Sequence, residues 1–351
     1  MKKLRVLSLF DGISTGRLAL EKAGIPIEVY YASEVDKNAS AVSEYHYPDI
    51  IRLGDVTKID FKEFKDIDLI LSGSPCVELS RANRNRQGIY GEHSNLFFYF
   101  IEALETIKPK WFLQENVASM KVEDKQIMTE AFFKLYKDTR LIEIDSALVS
   151  AQSRKRLYWT NLPVCQPKDC GIFLTDILED IEVLEELHGI KTDGCVKYND
   201  GFVAINGKRI DFVDMDEPYC LKEIRTEQGK ALRRAARIAG KKDTTPRNAD
   251  CKMFIPRTDR KANCLTTTCN QESIVYIPSK KTARYLTPLE WDRLQTMGDD
   301  YTKFGKNEQG VYELTNSARY KALGNGWTAD VIAHIFKGIV SPVKELKKRL
   351  F

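Results

Sequence analysis

No apolar run in this 351-residue chain approaches the roughly 18 residues that a helix needs to cross a bilayer, which excludes a helical membrane span. The opening stretch, MKKLRVLSLF, is basic and then apolar, but its apolar part is too short for a secretory leader and Asp11-Gly12 follows at once. It reads as a first strand. There is no internal repeat and no low-complexity tract, so repeat arrays and biased linkers are excluded. The eight cysteines, at 76, 165, 170, 195, 220, 251, 264 and 269, are scattered. Cys165/Cys170 and Cys264/Cys269 each enclose four residues, and no histidine or tighter pair supports them as a zinc site. The expectation is reduced thiols in a cytosol, with no disulfide framework and no bound metal. Nor does the first strand run into Gly-x-Gly-x-x-Gly, so a dinucleotide is not indicated.

What is present is ordinary in bulk and uneven in detail. Hydrophobic residues make up 43% and charged residues 30%, as in a soluble globular protein of one large or two modest domains. Net charge is +4, yet Leu221–Ala262 holds 13 Lys/Arg against 5 Asp/Glu, a local +8 that leaves the remainder at −4. Such a basic block points to a polyanion, or else to the solvated face of a helix over "GKALRRAARIAGKK".

Through about residue 165 the chain alternates short apolar runs (LRVLSLF, EVYYASEVD, IDLILSG, WFLQENV, LIEIDSALVSA) with segments of helical spacing. That alternation predicts βαβ units in a doubly wound, mostly parallel α/β sheet. It stops after that point, and helical periodicity returns only at "TPLEWDRLQTMG" and "TADVIAHIFKGIV". The expected organisation is a Rossmann-like catalytic domain over 1–180, completed by 316–351. A smaller domain over 181–283 and a connecting region over 284–315 make up the rest.

Several residues collect at the carboxyl ends of these strands, where open parallel sheets bind ligands. "LSLFDGISTG" places a glycine turn after the first strand, with Phe10, Asp11, Gly12 and Gly16. Glu34 lies 22 residues beyond Gly12, a spacing suited to ribose hydroxyls, with Val35 beside it and Asp55-Val56 further on. "LILSGSPC" breaks a buried strand at Gly73-Ser74-Pro75 and presents Cys76, a candidate nucleophile. Glu115-Asn116 end the next strand. Gln152, Arg154 and Arg156 alternate in "AQSRKRLYW" and are expected on one face of a strand, a set suited to phosphate or a carbonyl oxygen.

Together, "FDGISTG", "GSPC", "ENV", "QSRKR" and "ALGNGWT" resemble, in order and spacing, the motifs of the cytosine-5 DNA methyltransferase family. "RYLTPLEWDRLQ" and "NCLTTTCN" resemble its supporting motifs around the recognition domain. Val77-Glu78 after the Pro-Cys, and Val35, depart from residues common in the family. The resemblance implies transfer of a methyl group from S-adenosylmethionine, leaving S-adenosylhomocysteine, to carbon 5 of a flipped-out cytosine. Cys76 is implied as the thiolate, Glu115 as the group on ring nitrogen 3 and the exocyclic amine, and Arg156 on the carbonyl oxygen, with Arg154 and Gln152 ordering the pocket. Phe10, Asp11, Gly12, Gly16, Glu34, Val35, Asp55, Val56, Ser74, Pro75 and Asn325 are implied at the cofactor, and residues 80–95 as a loop closing over DNA. The implied partner is double-stranded DNA for a monomer in the cytosol of a prokaryotic or viral host, with a cognate restriction endonuclease as a genomic companion. A tRNA cytosine-5 methyltransferase shares the catalytic motifs, but the basic block of about a hundred residues favours DNA. A non-catalytic DNA-binding relative would not need Cys76, Glu115 and Arg156 together.

Overall fold

The computed structural model describes residues 2–75, 96–179, 196–199, 202–205, 208–211, 216–241, 246, 251–267, 269, 273–280 and 282–340. The first half builds β1 (Leu4–Leu9), α1 (Thr15–Lys22), β2 (Ile27–Ser33), α2 (Lys37–His46), β3 (Ile51–Arg52) and β4 (Leu69–Ser72). It continues with α3 (Phe97–Ile107), β5 (Trp111–Val117), α4 (Val122–Leu135), β6 (Arg140–Asp145) and β7 (Lys155–Thr160). These seven strands form one sheet in the order β3-β2-β1-β4-β5-β7-β6. The pairs from β3 through β5 are all parallel. The strand order reverses beside β1, so the ends of β1 and β4 open the crevice typical of doubly wound sheets.

Alternation along each strand sends side chains to two separate cores. Val6, Leu69, Leu71 and Leu113 join one apolar cluster, where Ala19 and Leu20 of α1 and Ile332 and Phe336 of α8 (Ala329–Val340) also pack. Leu7, Leu9, Ile70 and Phe112 face the other way, onto Phe97 and Phe100 of α3 and Phe132 of α4. Phe112 stacks on Phe132 at 5.2 Å between ring centroids. A strand buried on both faces reads as the continuous apolar run seen in "LILS".

One strand runs against the rest. β7 pairs antiparallel with both β5 and β6. Only residues 146–154 connect β6 to β7, too few for the dozen or more that a parallel crossover takes. The return is tied by Asp145, whose carboxylate accepts from the amides of Ala147 (3.0 Å) and Arg154 (2.8 Å).

The second sheet comprises β8 (Val196–Asn199), β9 (Phe202–Ile205), β10 (Lys208–Asp211), β11 (Tyr219–Arg225), β12 (Lys252–Pro256), β13 (Ile274–Ile277) and β14 (Thr282–Tyr285). Its order is β14-β13-β11-β12-β10-β9-β8, antiparallel except for β10 beside β12. The basic stretch forms α5 (Glu227–Ile238), nearly all of it exposed, with Thr226 capping its start by accepting from the Gly229 amide. Beyond the sheet come α6 (Pro288–Leu294), the hairpin β15 (Phe304–Asn307) and β16 (Gly310–Glu313), and α7 (Asn316–Asn325). Trp291, Leu294, Met297 and Tyr301 join the α1/α8 core, so residues 284–315 pack into the body of the molecule and do not hang as a bare connector.

At the end of α7, a methyl group on Gly324 would meet the Thr266 carbonyl oxygen at 1.9 Å. "ALGNGWT" and Thr266-Thr267 therefore touch backbone to backbone. Gly324→Ala is expected to destabilise the protein by at least about 1–3 kcal/mol, the usual cost of overpacking, and urea unfolding midpoints check it.

Candidate active site

Glu115 sits near the carboxyl end of β5 with its side chain only 11% exposed. Arg156 Nε meets its Oε1 at 2.9 Å, and the indole N–H of Trp327 donates to its Oε2 at 3.0 Å. Both oxygens are thus oriented by donors from two different parts of the chain. Next to it, Gln114 donates to Ser74 Oγ (2.9 Å) and Asn116 donates to the Ser74 carbonyl (3.3 Å). These bonds fix the turn Gly73-Ser74-Pro75 against β5. That turn leads directly to position 76; Cys76 itself, and the implied loop over 80–95, lie outside the described residues.

Gln152, Arg154 and Arg156 all reach toward Cys264 and Leu265, but not from one strand. β7 begins at Lys155, and Gln152 lies before it in an isolated bridge with Ala262. Gln152 donates to the Leu294 carbonyl (2.8 Å) and to Gln295 Oε1 (3.0 Å), and accepts from the Leu265 amide (3.2 Å). Arg154 is 3% exposed and donates to the carbonyls of Leu265 (2.9 Å), Gly324 (3.0 Å) and Gly326 (2.9 Å). Burial, reinforced by the charge of Arg156, pulls its guanidinium below the ordinary arginine range. These two side chains are spent mainly on backbone, with Gln152 also on the Gln295 side chain and Arg154 also on Cys264. Only Arg156 contacts the catalytic carboxylate candidate.

Two residues that sequence reasoning missed complete the cluster. Cys264 lies 3.4 Å from Arg154 Nη1 and 3.8 Å from Arg156 Nη2. Burial pushes its thiol up, but the two guanidinium groups outweigh it and the net shift is downward, toward thiolate. Trp327 is the second. Its only sequence signal was a large aromatic immediately after Gly324-Asn325-Gly326, a place where small residues otherwise predominate.

On the other side of the crevice, Phe10, Gly12 and Ser14 take positive φ values of 59°, 60° and 58°. For Phe10 and Ser14 this left-handed backbone costs about 1–3 kcal/mol each, strain that concentrates at functional turns. The Glu34 carboxylate accepts from the amides of Gly12, Val35 and Asp36, each at 2.8 Å. Three of its roughly four lone-pair sites are taken, which leaves capacity for one hydroxyl donor. Val35 presents its side chain to solvent at 71% exposure. A cavity of about 970 Å³ begins at Glu34 and Val35 and runs between α2 and the β15–β16 hairpin, past Lys306 and Tyr312. It lies within the size range of small-molecule sites, and its mouth is the crevice edge.

The remaining positions expected at a cofactor divide. Asp11 accepts from Tyr30 Oη (2.7 Å) and Ser14 Oγ (2.5 Å), and burial raises its carboxyl above the usual range. Asp55 caps a short 3-10 turn by accepting from the Thr57 amide at 2.9 Å. Val56 points into the core beside α3. Gly16 is tight packing: a methyl group there would lie 2.8 Å from Leu71, 2.9 Å from Tyr30 and 3.6 Å from the Trp327 ring. Asn325 is exposed at the end of α7. Among the described residues, no group of three or more His, Cys, Asp or Glu side chains is gathered to hold a metal ion.

Residues 4–341 match the family model for C-5 cytosine-specific DNA methylases. Over 165 residues the chain is 37% identical to the orphan methyltransferase M.SPRI of Bacillus phage SPR, a stretch that makes up 45% of this chain and 37% of the relative. Over 178 residues it is 32% identical to the type II methyltransferase M.NgoBV of Neisseria gonorrhoeae, covering 46% of this chain and 41% of the relative. The matched stretch thus spans about two fifths of these curated relatives. Among solved structures, the Entamoeba histolytica methyltransferase EhMeth superposes with a TM-score of 0.58 over 99% of both chains at 13% identity, a likeness of fold.

Proposed function

Because the chain belongs to the C-5 cytosine-specific DNA methylase family, we propose that it is a DNA (cytosine-5-)-methyltransferase acting on a cytosine flipped out of duplex DNA. The observation that carries this reading is the Glu115 carboxylate, clamped by Arg156 and Trp327 against the turn that leads to Cys76.

Carbon 5 of cytosine is a poor nucleophile until the ring loses its aromaticity. The Cys76 thiolate adds to carbon 6, forming an S–C bond and pushing the ring electrons toward carbon 5 and nitrogen 3. Glu115 meets nitrogen 3 and the exocyclic amine, where that charge is stabilised by a hydrogen bond or a proton. Arg156 is the group assigned to the cytosine carbonyl oxygen, beside the Glu115 carboxylate that its Nε holds. Glu34, Gly12, Val35 and Asn325 would hold S-adenosylmethionine: one remaining acceptor site on Glu34 suits a ribose hydroxyl, and the exposed Val35 suits an adenine face. This cofactor supplies the methyl group that carbon 5 takes up. Loss of the carbon 5 proton to a base then restores the double bond as the C6–S bond breaks and the Cys76 thiolate leaves.

The base is hidden in a duplex, so it must leave the stack, as for methyltransferases in general. The exposed basic helix α5 supports phosphate contacts that position the duplex. A duplex containing 5-fluorocytosine tests the reading directly, because fluorine cannot leave as a proton does. The wild-type chain with S-adenosylmethionine is expected to form a covalent adduct stable to denaturing gels, and Cys76→Ser to form none. Adducts formed equally by Cys76→Ser, or formed on RNA but not DNA, would refute it.

A further inference from the structure

Trp327 was not among the residues that the motifs pointed to, yet it touches three of them. Its indole lies in the space that a side chain at position 73 would need, and its far edge is in van der Waals contact range of position 16. A methyl group on Gly73 would meet Nε1 at 2.9 Å and Cζ2 at 3.1 Å, and one on Gly16 would meet Cζ3 at 3.6 Å. The ring therefore wedges between the start of α1 and the turn after β4, and its one polar atom is aimed at Glu115 Oε2, 3.0 Å away. The wedge is itself held from behind. Gln295 donates to the carbonyls of Leu323 (2.6 Å) and Gly326 (3.1 Å), Arg154 to those of Gly324 (3.0 Å) and Gly326 (2.9 Å). Thr328 Oγ1 bonds to Gln295 Oε1 at 2.9 Å. A turn pinned by this many bonds fixes where the indole N–H points.

We propose that Trp327 is a positioning residue of methyl transfer: its indole N–H sets the orientation of the Glu115 carboxylate toward the base, and Gly73 is a glycine so that the ring fits. This rests on the reading of Glu115 as the group that meets cytosine. With Arg156 on one oxygen and Trp327 on the other, the carboxylate plane has a single orientation. Without the indole N–H it swings about the remaining Arg156 contact, and fewer encounters find it aligned.

The test uses the full chain with Trp327→Phe, which keeps an aromatic ring but removes the donor and part of the wedge, alone and combined with Glu115→Gln. Loss of one hydrogen bond to a charged group is expected to lower kcat on duplex DNA about tenfold, with KM for S-adenosylmethionine changed less than about twofold. In the Glu115→Gln background, Trp327→Phe is expected to cost nothing further, because its effect passes through the carboxylate. Wild-type kcat in Trp327→Phe, a loss confined to KM, or losses that multiply in the double variant would overturn the proposal. Crystal structures of the wild type and Trp327→Phe decide it independently: the carboxylate is expected to rotate, and one that stays in place overturns the positioning role. Inactivity of the wild-type chain on DNA would instead refute the methyl-transfer reading, and the two structures would still show whether Trp327 holds Glu115.

Discussion

Glu115→Gln is expected to lower kcat for methyl transfer to duplex DNA by about 10²–10⁴, the usual range for losing a positioned acid–base group. The amide has the size and shape of the carboxylate, but its single acceptor oxygen can serve Trp327 or Arg156 and not both. What it loses is charge: Arg156 Nε, 2.9 Å away, no longer faces an anion, and no proton is exchanged with ring nitrogen 3. The lost pairing also costs stability, about 1–3 kcal/mol, since the Arg156 guanidinium stays close to Arg154 in a site that is mostly closed to water. Tritiated methyl transfer and urea unfolding, run on the same preparation, separate the two effects. A kcat within a factor of three of wild type would remove Glu115 from the chemistry.

Arg154→Met is expected to act on stability. The methionine fills the space of the arginine stem but takes the guanidinium donor from the carbonyls of Leu265 and Gly324, and leaves that of Gly326 with Gln295 alone, in a site only 3% exposed. Unmet buried acceptors cost about 1–3 kcal/mol each, and partial relaxation brings the expected total to about 3–5 kcal/mol. The urea midpoint should fall accordingly, with unfolding beginning where β7, the 262–267 segment and the end of α7 meet. Arg154→Lys should recover only part, because one ammonium cannot span three carbonyls as the guanidinium fork does. An Arg154→Met protein of wild-type stability but no activity would return this side chain to the cytosine pocket, the role its motif implies.

That contrast marks where sequence reasoning reached its limit. β4 was legible because a strand buried on both faces reads as an apolar run, β1 and β5 because most of their residues are apolar, and breakers such as Gly73-Ser74-Pro75 announce a strand's end. Glu115 and the Gly12/Glu34 spacing were legible because they stand at those ends. Gln152, Arg154 and Arg156 looked equivalent because period-2 spacing reports a shared direction and not a shared partner. Which guanidinium meets a carboxylate and which meets carbonyls depends on Leu265 and Gly324, more than a hundred residues away. The reversal of β7 was hidden for a related reason: a short return and a long crossover differ in the length of the connection, not in the strand. Trp327 was invisible because its importance lies in one glycine and one carboxylate that only the fold brings together.

The wedge of Trp327 also bears on how the chain is made. Synthesis delivers Gly16 and Gly73 early and the indole that fills the space between them only 254 residues after Gly73. At 5–20 residues per second, that interval is roughly 10–50 s. Other ties close over still longer spans: Lys22 to Asp330, Lys321 to Asp36, and Tyr301 to the Ile13 carbonyl. The nascent first half is therefore expected to expose an apolar seam along α1 until the helices over 316–340 are made. A chain stopped short of residue 316 should be a client of chaperones and proteases, and neither half alone should carry the proposed activity.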